Sequence, residues 1–286
     1  MKFVLSILFL LAPAYAASSE LSKATKLYHA TDYDGALRVL QSAPDAKRDG
    51  DFQLLAGKAY YMKGEFKKAS DAFERAVQQN PANSDYQHWL GRAMGRRAES
   101  ASFVTAPGYA SKARQCFEKA VQLNPQNMEA VNDLFEYYKE APGILGGGLD
   151  KAQELVSGIK QSDPAEYHFA LAQLAEKRKE YSFAEQQLRK ALELAPRQVG
   201  RFIDLARFLA KRGRYQESDA LFLKAEAIAP NEPKLLFAKA NTYIQTKRNL
   251  EEARELLKKY LESPLTPEEP SREDARKLLA KVAGGI

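Results

Sequence analysis

Side chains able to do chemistry are present in this chain, but not at the spacings that catalysis or ligation needs. The three histidines, His29, His88 and His168, are far apart. There is no H-E-x-x-H pair for zinc, no G-x-S-x-G nucleophile turn and no G-x-x-x-x-G-K-[ST] phosphate loop. Ser157-Gly158-Ile159-Lys160 matches S-x-x-K, yet it lies within a helical stretch and lacks the companion motifs of penicillin-binding enzymes. Gly146-Gly147-Gly148 precedes a helix expected from about Lys151, where backbone N–H groups favour anions. Asp150 is the expected N-cap there and opposes an anion, so the run reads as a conformational loop. Cys116 is the only cysteine, so no internal disulfide is possible. Beside Phe117 on an apolar stripe it reads as a small buried side chain, with a reactive or intermolecularly paired thiol as the alternative. These residues imply no catalytic group, no metal and no cofactor.

The elements that position these side chains announce themselves through one spacing. A small residue stands twelve positions before a proline five times: Ala69 and Pro81, Ala113 and Pro125, Ala152 and Pro164, Ala184 and Pro196, Ser218 and Pro230. Between the members of each pair lie Phe73 and Ala76, Phe117 and Ala120, Val156 and Ile159, Leu188 and Ala191, or Phe222 and Ala225. Apolar residues at helical spacing give each segment one buried stripe. The small residues let two backbones approach, and proline ends the helix. A single helical hairpin cannot bury its apolar face, so hairpins recurring at about 34 residues stack.

This pattern resembles the tetratricopeptide repeat. The fullest copy is 50–83, with Gly57, Tyr60, Gly64, Phe66, Ala69, Phe73, Ala76 and Pro81 in place. Further copies are expected at about 17–49, 84–125, 126–164, 165–198, 199–232 and 233–263, with a capping helix near 270–282 bearing Ala275, Leu278, Leu279 and Val282 on one stripe. The resemblance implies an all-α, right-handed α-α superhelical solenoid of about seven hairpins over residues 17–286. Trp89 sits two residues later than the family's tryptophan.

By the same resemblance, the first helices line a concave groove that holds a peptide or protein. Carried over repeat by repeat, that face comprises Tyr61, His88, Arg92, Arg96, Asn132, Glu136, Phe169, Gln173, Arg207 and Lys211. Arg92 with Arg96, and Arg207 with Lys211, are i, i+4 cation pairs, and Glu136 with Glu140 is an acidic one. Such a mixed face suits a polypeptide of complementary charge. Members of this family that grip a chaperone's C-terminal carboxylate use a lysine and asparagines. Here the asparagine place is filled by Lys58, Arg92, Glu136, Gln173 and Arg207, only the last repeat has Asn241, and that clamp is not expected. A binding module for cell-envelope glycan or peptide is the alternative, and an enzyme with a site at the enlarged repeats a more distant one.

Gly91 precedes Ala113 by 22 residues and Phe135 precedes Ala152 by 17, where Gly57, Ala172 and Ala206 precede their partners by 12. The insertions, about 99–109 and 141–150, are expected on one edge. Phe103, Val104, Pro107, Pro142, Ile144 and Leu145 are expected to pack there as a small lobe for partner recognition.

The net charge of +6 is interleaved in sign, so neither nucleic acid nor a polyanion is indicated. Lys2, the apolar run Phe3–Ala12 and the Ala14-Tyr15-Ala16 site read as a cleaved leader over residues 1–16. No stable membrane anchor is expected, and the mature chain is expected in the periplasm.

Overall fold

The computed structural model describes residues 12–44 and 49–283, so part of the expected leader (1–11) lies outside the described residues. No strand occurs among them. Fifteen α-helices follow one another: α1 (Ala12–His29), α2 (Tyr33–Ser42), α3 (Gly50–Met62), α4 (Phe66–Gln79), α5 (Ser84–Ser100), α6 (Ala106–Leu123), α7 (Met128–Glu140), α8 (Leu149–Ser157), α9 (Pro164–Lys177), α10 (Tyr181–Leu194), α11 (Val199–Lys211), α12 (Tyr215–Ile228), α13 (Pro233–Gln245), α14 (Leu250–Glu262) and α15 (Arg272–Ala283). A 3-10 turn, Gly143–Leu145, follows α7.

Where the spacing reads as one array, the chain divides into two compact units, 1–148 and 149–286. The division falls at the glycine run, where Gly146 and Gly148 take φ of +85° and +152°. In the first unit α1 pairs with α2, α3 with α4 and α5 with α6, and α7 packs on α6. In the second, α9 pairs with α10, α11 with α12 and α13 with α14, and α15 covers α14.

Polar caps start several first helices. Asn83 accepts from Asp85 N at 2.9 Å, Asn127 from Ala130 N at 3.1 Å and Asp163 from Glu166 N at 2.9 Å. Each bond satisfies an N–H that the helix itself leaves open. Ala69, Ala113, Ala152, Ala184 and Ser218 are essentially fully buried, as helix contact through small residues requires. Ala275 and Val282 are buried against the last hairpin, with Leu278 and Leu279 at the margin of the same cluster.

Thr31, Gly64, Lys179 and Gly213 each stand five residues before the small residue of the next helix, and all are left-handed, at φ of 59°, 75°, 62° and 77°. Lys247 stands six before Ala253 at φ 52°, and Asn249, at 47°, absorbs the additional residue. Of the two enlarged hairpins, the first lacks this device, and in the second Gly146, six residues before Ala152, is left-handed at φ 85°. In the first of them the insertion is mostly helical: α5 and α6 have 17 and 18 residues where α3 and α4 have 13 and 14.

Turn cations clamp one hairpin to its predecessor. Lys63 Nζ reaches Asp34 at 2.5 Å, Arg214 reaches Glu185 at 2.5 Å and Arg248 reaches Asp219 at 2.7 Å. Aromatic rings at the starts of second helices receive the same kind of cation. Arg96 lies 4.9 Å from the Phe66 ring centre, Arg212 3.5 Å from Tyr181 and Arg248 4.4 Å from Tyr215.

Candidate functional site

In the first unit, most of the expected groove residues are engaged internally. His88 is 1% exposed, and its Nε2 lies 2.7 Å from Asp133 Oδ2, so it belongs to the core and not to an open face. Arg92 stacks 4.7 Å from the Trp89 ring centre and bonds Asp133 at 3.0 Å. Arg96 pairs with Glu99 at 2.6 Å while covering Phe66, and Glu136 pairs with Lys139 at 2.6 Å. Tyr61 packs edge-on against Phe66 and Trp89, with ring centres 5.4 and 5.6 Å apart. Asn132 is half-buried. The cation pair read on this face is therefore neutralised by carboxylates on its own helix and on the next repeat.

The second unit is different. Phe169, Gln173 and Glu176 of α9 face Asp204, Arg207 and Lys211 of α11 across a cleft of about 150 Å³ floored by Leu188 and Phe208. All four groove residues expected in this unit converge here. Arg207 and Lys211 are exposed and form no ion pair among the described residues. They also border a second cleft of about 490 Å³ toward α13, with Tyr215, Gln245 and Lys247 on its far wall. Arg201, held by Glu166 and by Asp204 at 3.4 Å, lays its guanidinium 4.8 Å from the Phe169 ring centre and so orients that ring. Burial pushes the Asp204 carboxyl up to about 6, against the pull of Arg201, Arg207 and Lys234. This arrangement offers two cations outside any ion pair among the described residues, one acid raised by burial, and an aromatic anchor.

Asp204, Glu176 and Lys247 escaped the sequence reading. Asp204 lies three residues before Arg207 and seven before Lys211, so helical periodicity alone places it on their face. Lys247 carried no such signal, since its position depends on a left-handed turn at a non-glycine residue.

The inserted segments do not pack as a lobe. Phe103, Val104 and Ile144 are 90%, 71% and 94% exposed, because the first insertion lengthens two helices instead of folding over a core. Pro107 sits in the first turn of α6, and Pro142, at φ −60°, leads into the 3-10 turn. Leu145, half-buried, uses its carbonyl to accept from Tyr137 Oη at 2.8 Å. Asp150 lies inside the first turn of α8, and is not its N-cap. Ser157 is the last residue of α8, and its hydroxyl donates to Gln153 O at 2.8 Å. Cys116 is buried, which pushes its thiol up to about 11 and keeps it un-ionised at neutral pH.

Family models described as tetratricopeptide repeat match residues 27–93, and residues 108–127 and 165–198. Solved repeat proteins are similar in fold. A tetratricopeptide protein of Thermus thermophilus is 22% identical, with a TM-score of 0.52 over 71% of this chain and 99% of that one. One from Parabacteroides merdae is 15% identical, with a TM-score of 0.60 over 94% of this chain and 99% of its own. No curated protein matches.

Proposed function

We propose that this chain, whose tetratricopeptide-repeat matches span residues 27–93, 108–127 and 165–198, is a non-catalytic scaffold holding a polypeptide across α9 and α11. The observation that carries this reading is the contrast between the units: Arg92 and Arg96 are neutralised, whereas Arg207 and Lys211 stand unpaired beside Phe169. The complementary ligand is a segment with an apolar side chain for Phe169 and carboxylates for the two cations. Desolvated anchors supply most binding energy, while rim charges set specificity and association rate.

A photo-reactive residue in place of Gln173 should cross-link such a partner in its native setting. Arg207→Glu with Lys211→Glu should abolish the cross-link and leave helicity unchanged. Neutralising Asp204 makes the cleft more positive, so capture of the acidic segment should strengthen as pH falls from neutrality through about 6. A cross-link that survives the double charge reversal would move the binding surface elsewhere.

Export belongs to the same proposal. Lys2, the apolar run and Ala14-Tyr15-Ala16 support cleavage before Ala17 and a periplasmic destination. N-terminal sequencing of the native protein should begin at Ala17, and a start at Met1 would refute this.

A further inference from the structure

The lengthened hairpin brings three features together on one edge of the first unit. Helices α5 and α6 run about one turn, ~6 Å, beyond the neighbouring pair α3 and α4. α5 gains that turn at its C-terminal end and α6 at its N-terminal end, so both extend toward the same edge. The tip between them carries Phe103 and Val104, 90% and 71% exposed. Antiparallel packing of α5, α6 and α7 brings the turn after α7, with Ile144 94% exposed, to that edge as well.

Beneath the tip, between α4 and the extended helices, lies a cleft of about 570 Å³ bordered by Glu65, Lys67, Lys68, Arg97, Ser100 and Tyr109, with Glu65 taken up by Lys63 and Lys68. Arg97 is the departure from the clamp pattern. Arg214 and Arg248 each meet a carboxylate, Glu185 or Asp219, that directly follows the small residue of the preceding second helix. The residue at that place after Ala69 is Ser70. Arg97 instead donates to Ser70 Oγ at 2.9 Å and to Tyr109 Oη at 2.6 Å, and its ring contact is also Tyr109, at 4.2 Å. Both partners are neutral, so a half-buried guanidinium meets no counter-charge among the described residues. Lys67 likewise has no partner there, while Lys68 is held by Glu65 at 2.6 Å.

We propose that this edge docks reversibly on an anionic phospholipid surface, with Phe103 and Val104 entering the acyl layer and a headgroup phosphate seated between Arg97 and Lys67. The order of groups along the edge carries the assignment: apolar side chains outermost, cations about one helical turn behind. A bilayer presents hydrocarbon and phosphate with that separation, since interfacial segments bury their apolar face about 5–10 Å below the headgroup boundary. A convex tip enters a fluid phase without needing a matching pocket. The lysines add attraction to anionic lipid. No described helix is long and apolar enough to cross a membrane.

The test uses the full chain with Val104→Cys carrying an environment-sensitive fluorophore. Cys116 is buried and stays unlabelled. A reporter on the tip distinguishes its insertion from capture by any other part of the chain. With phosphatidylglycerol–phosphatidylethanolamine vesicles the emission should shift to the blue, and salt should reverse the shift. Pure phosphatidylcholine vesicles should have little effect. Phe103→Ser, or Lys67→Glu with Lys68→Glu, should each weaken partitioning by about tenfold or more. Arg207→Glu with Lys211→Glu should leave it unchanged, so this proposal and the polypeptide groove fail separately. An absent shift on the anionic vesicles overturns the proposal. So do equal partitioning of the charge-reversed chain and binding of inorganic phosphate without any response to vesicles. An acidic protein seated on the tip would show itself by the first of these results.

Discussion

Replacing Phe73 with alanine should destabilise the first unit by about 3–5 kcal/mol, read from the denaturant midpoint of its helical signal. Phe73 is fully buried, and its ring lies directly under Gly57 of the paired first helix. A Cβ at residue 57 would stand 2.4 Å from that ring, so the glycine and the phenylalanine form one joint. Gly91 and Phe117 repeat the arrangement in the next hairpin, with 2.6 Å between a Cβ and the ring. The joint makes a prediction of sign. With Phe73 present, Gly57→Ala should cost about 1–3 kcal/mol through overpacking. With Phe73→Ala already made, the same change should stabilise by up to about 1 kcal/mol, because alanine is the better helix former. The two changes are in contact and should be strongly non-additive. If Gly57→Ala stabilises the chain while Phe73 is intact, the ring is not the constraint.

The second large effect is expected at Lys239, whose side chain is 7% exposed and lies 2.8 Å from both Glu226 and Glu252. Burial alone would lower its basicity. The bonds to the two carboxylates outweigh burial and hold the ammonium above the usual lysine range. A group raised in the folded state contributes stability below its unfolded pKa and loses that contribution at higher pH. Glu226→Gln with Glu252→Gln should therefore cost about 2–3 kcal/mol at neutral pH. That is less than for a fully enclosed pair, because the carboxylates remain partly solvated. Lys239→Met leaves Glu226 and Glu252 without their counter-ion and should cost about 1–2 kcal/mol at pH 7, limited because both carboxylates are partly solvated. Above about pH 10.5 the wild type should lose stability relative to Lys239→Met. Parallel denaturation curves at neutral and alkaline pH check this, and a methionine variant that loses stability in step with the wild type would refute it.

The helical hairpins were legible in the sequence because their signals are local. Ala113, Phe117 and Ala120 fall on one stripe and Asn124-Pro125 closes it, with no need to know what lies opposite. The groove was half legible. Phe169, Gln173, Arg207 and Lys211, carried over from the repeat resemblance, do converge, whereas Arg92, carried over in the same way, is taken up by Asp133 of the next repeat. A rule about neighbours four residues apart is blind to a partner 41 residues away. His88 was misplaced for the related reason that Asp133 draws it inward. The left-handed turns went unread: Gly64 and Gly213 are residues that favour such a turn, whereas at Thr31, Lys179 and Lys247 position in the hairpin imposes a conformation that those side chains disfavour. The lobe failed because an insertion was read as loop when Ala106-Pro107 starts a helix early.

The clamps between turns give the array's cooperativity a particular origin. A bond such as Lys63–Asp34 or Arg248–Asp219 exists only when two adjacent hairpins are both folded. It adds nothing to the intrinsic stability of either hairpin, and enters only the coupling between them in a one-dimensional chain of folding units. Because that coupling is partly ionic and lies near the surface, added salt weakens it and leaves the apolar joints within each hairpin alone. Salt thus sets how far an opening spreads: at low ionic strength neighbouring hairpins in a unit exchange their amide hydrogens together, and at high ionic strength each begins to open by itself.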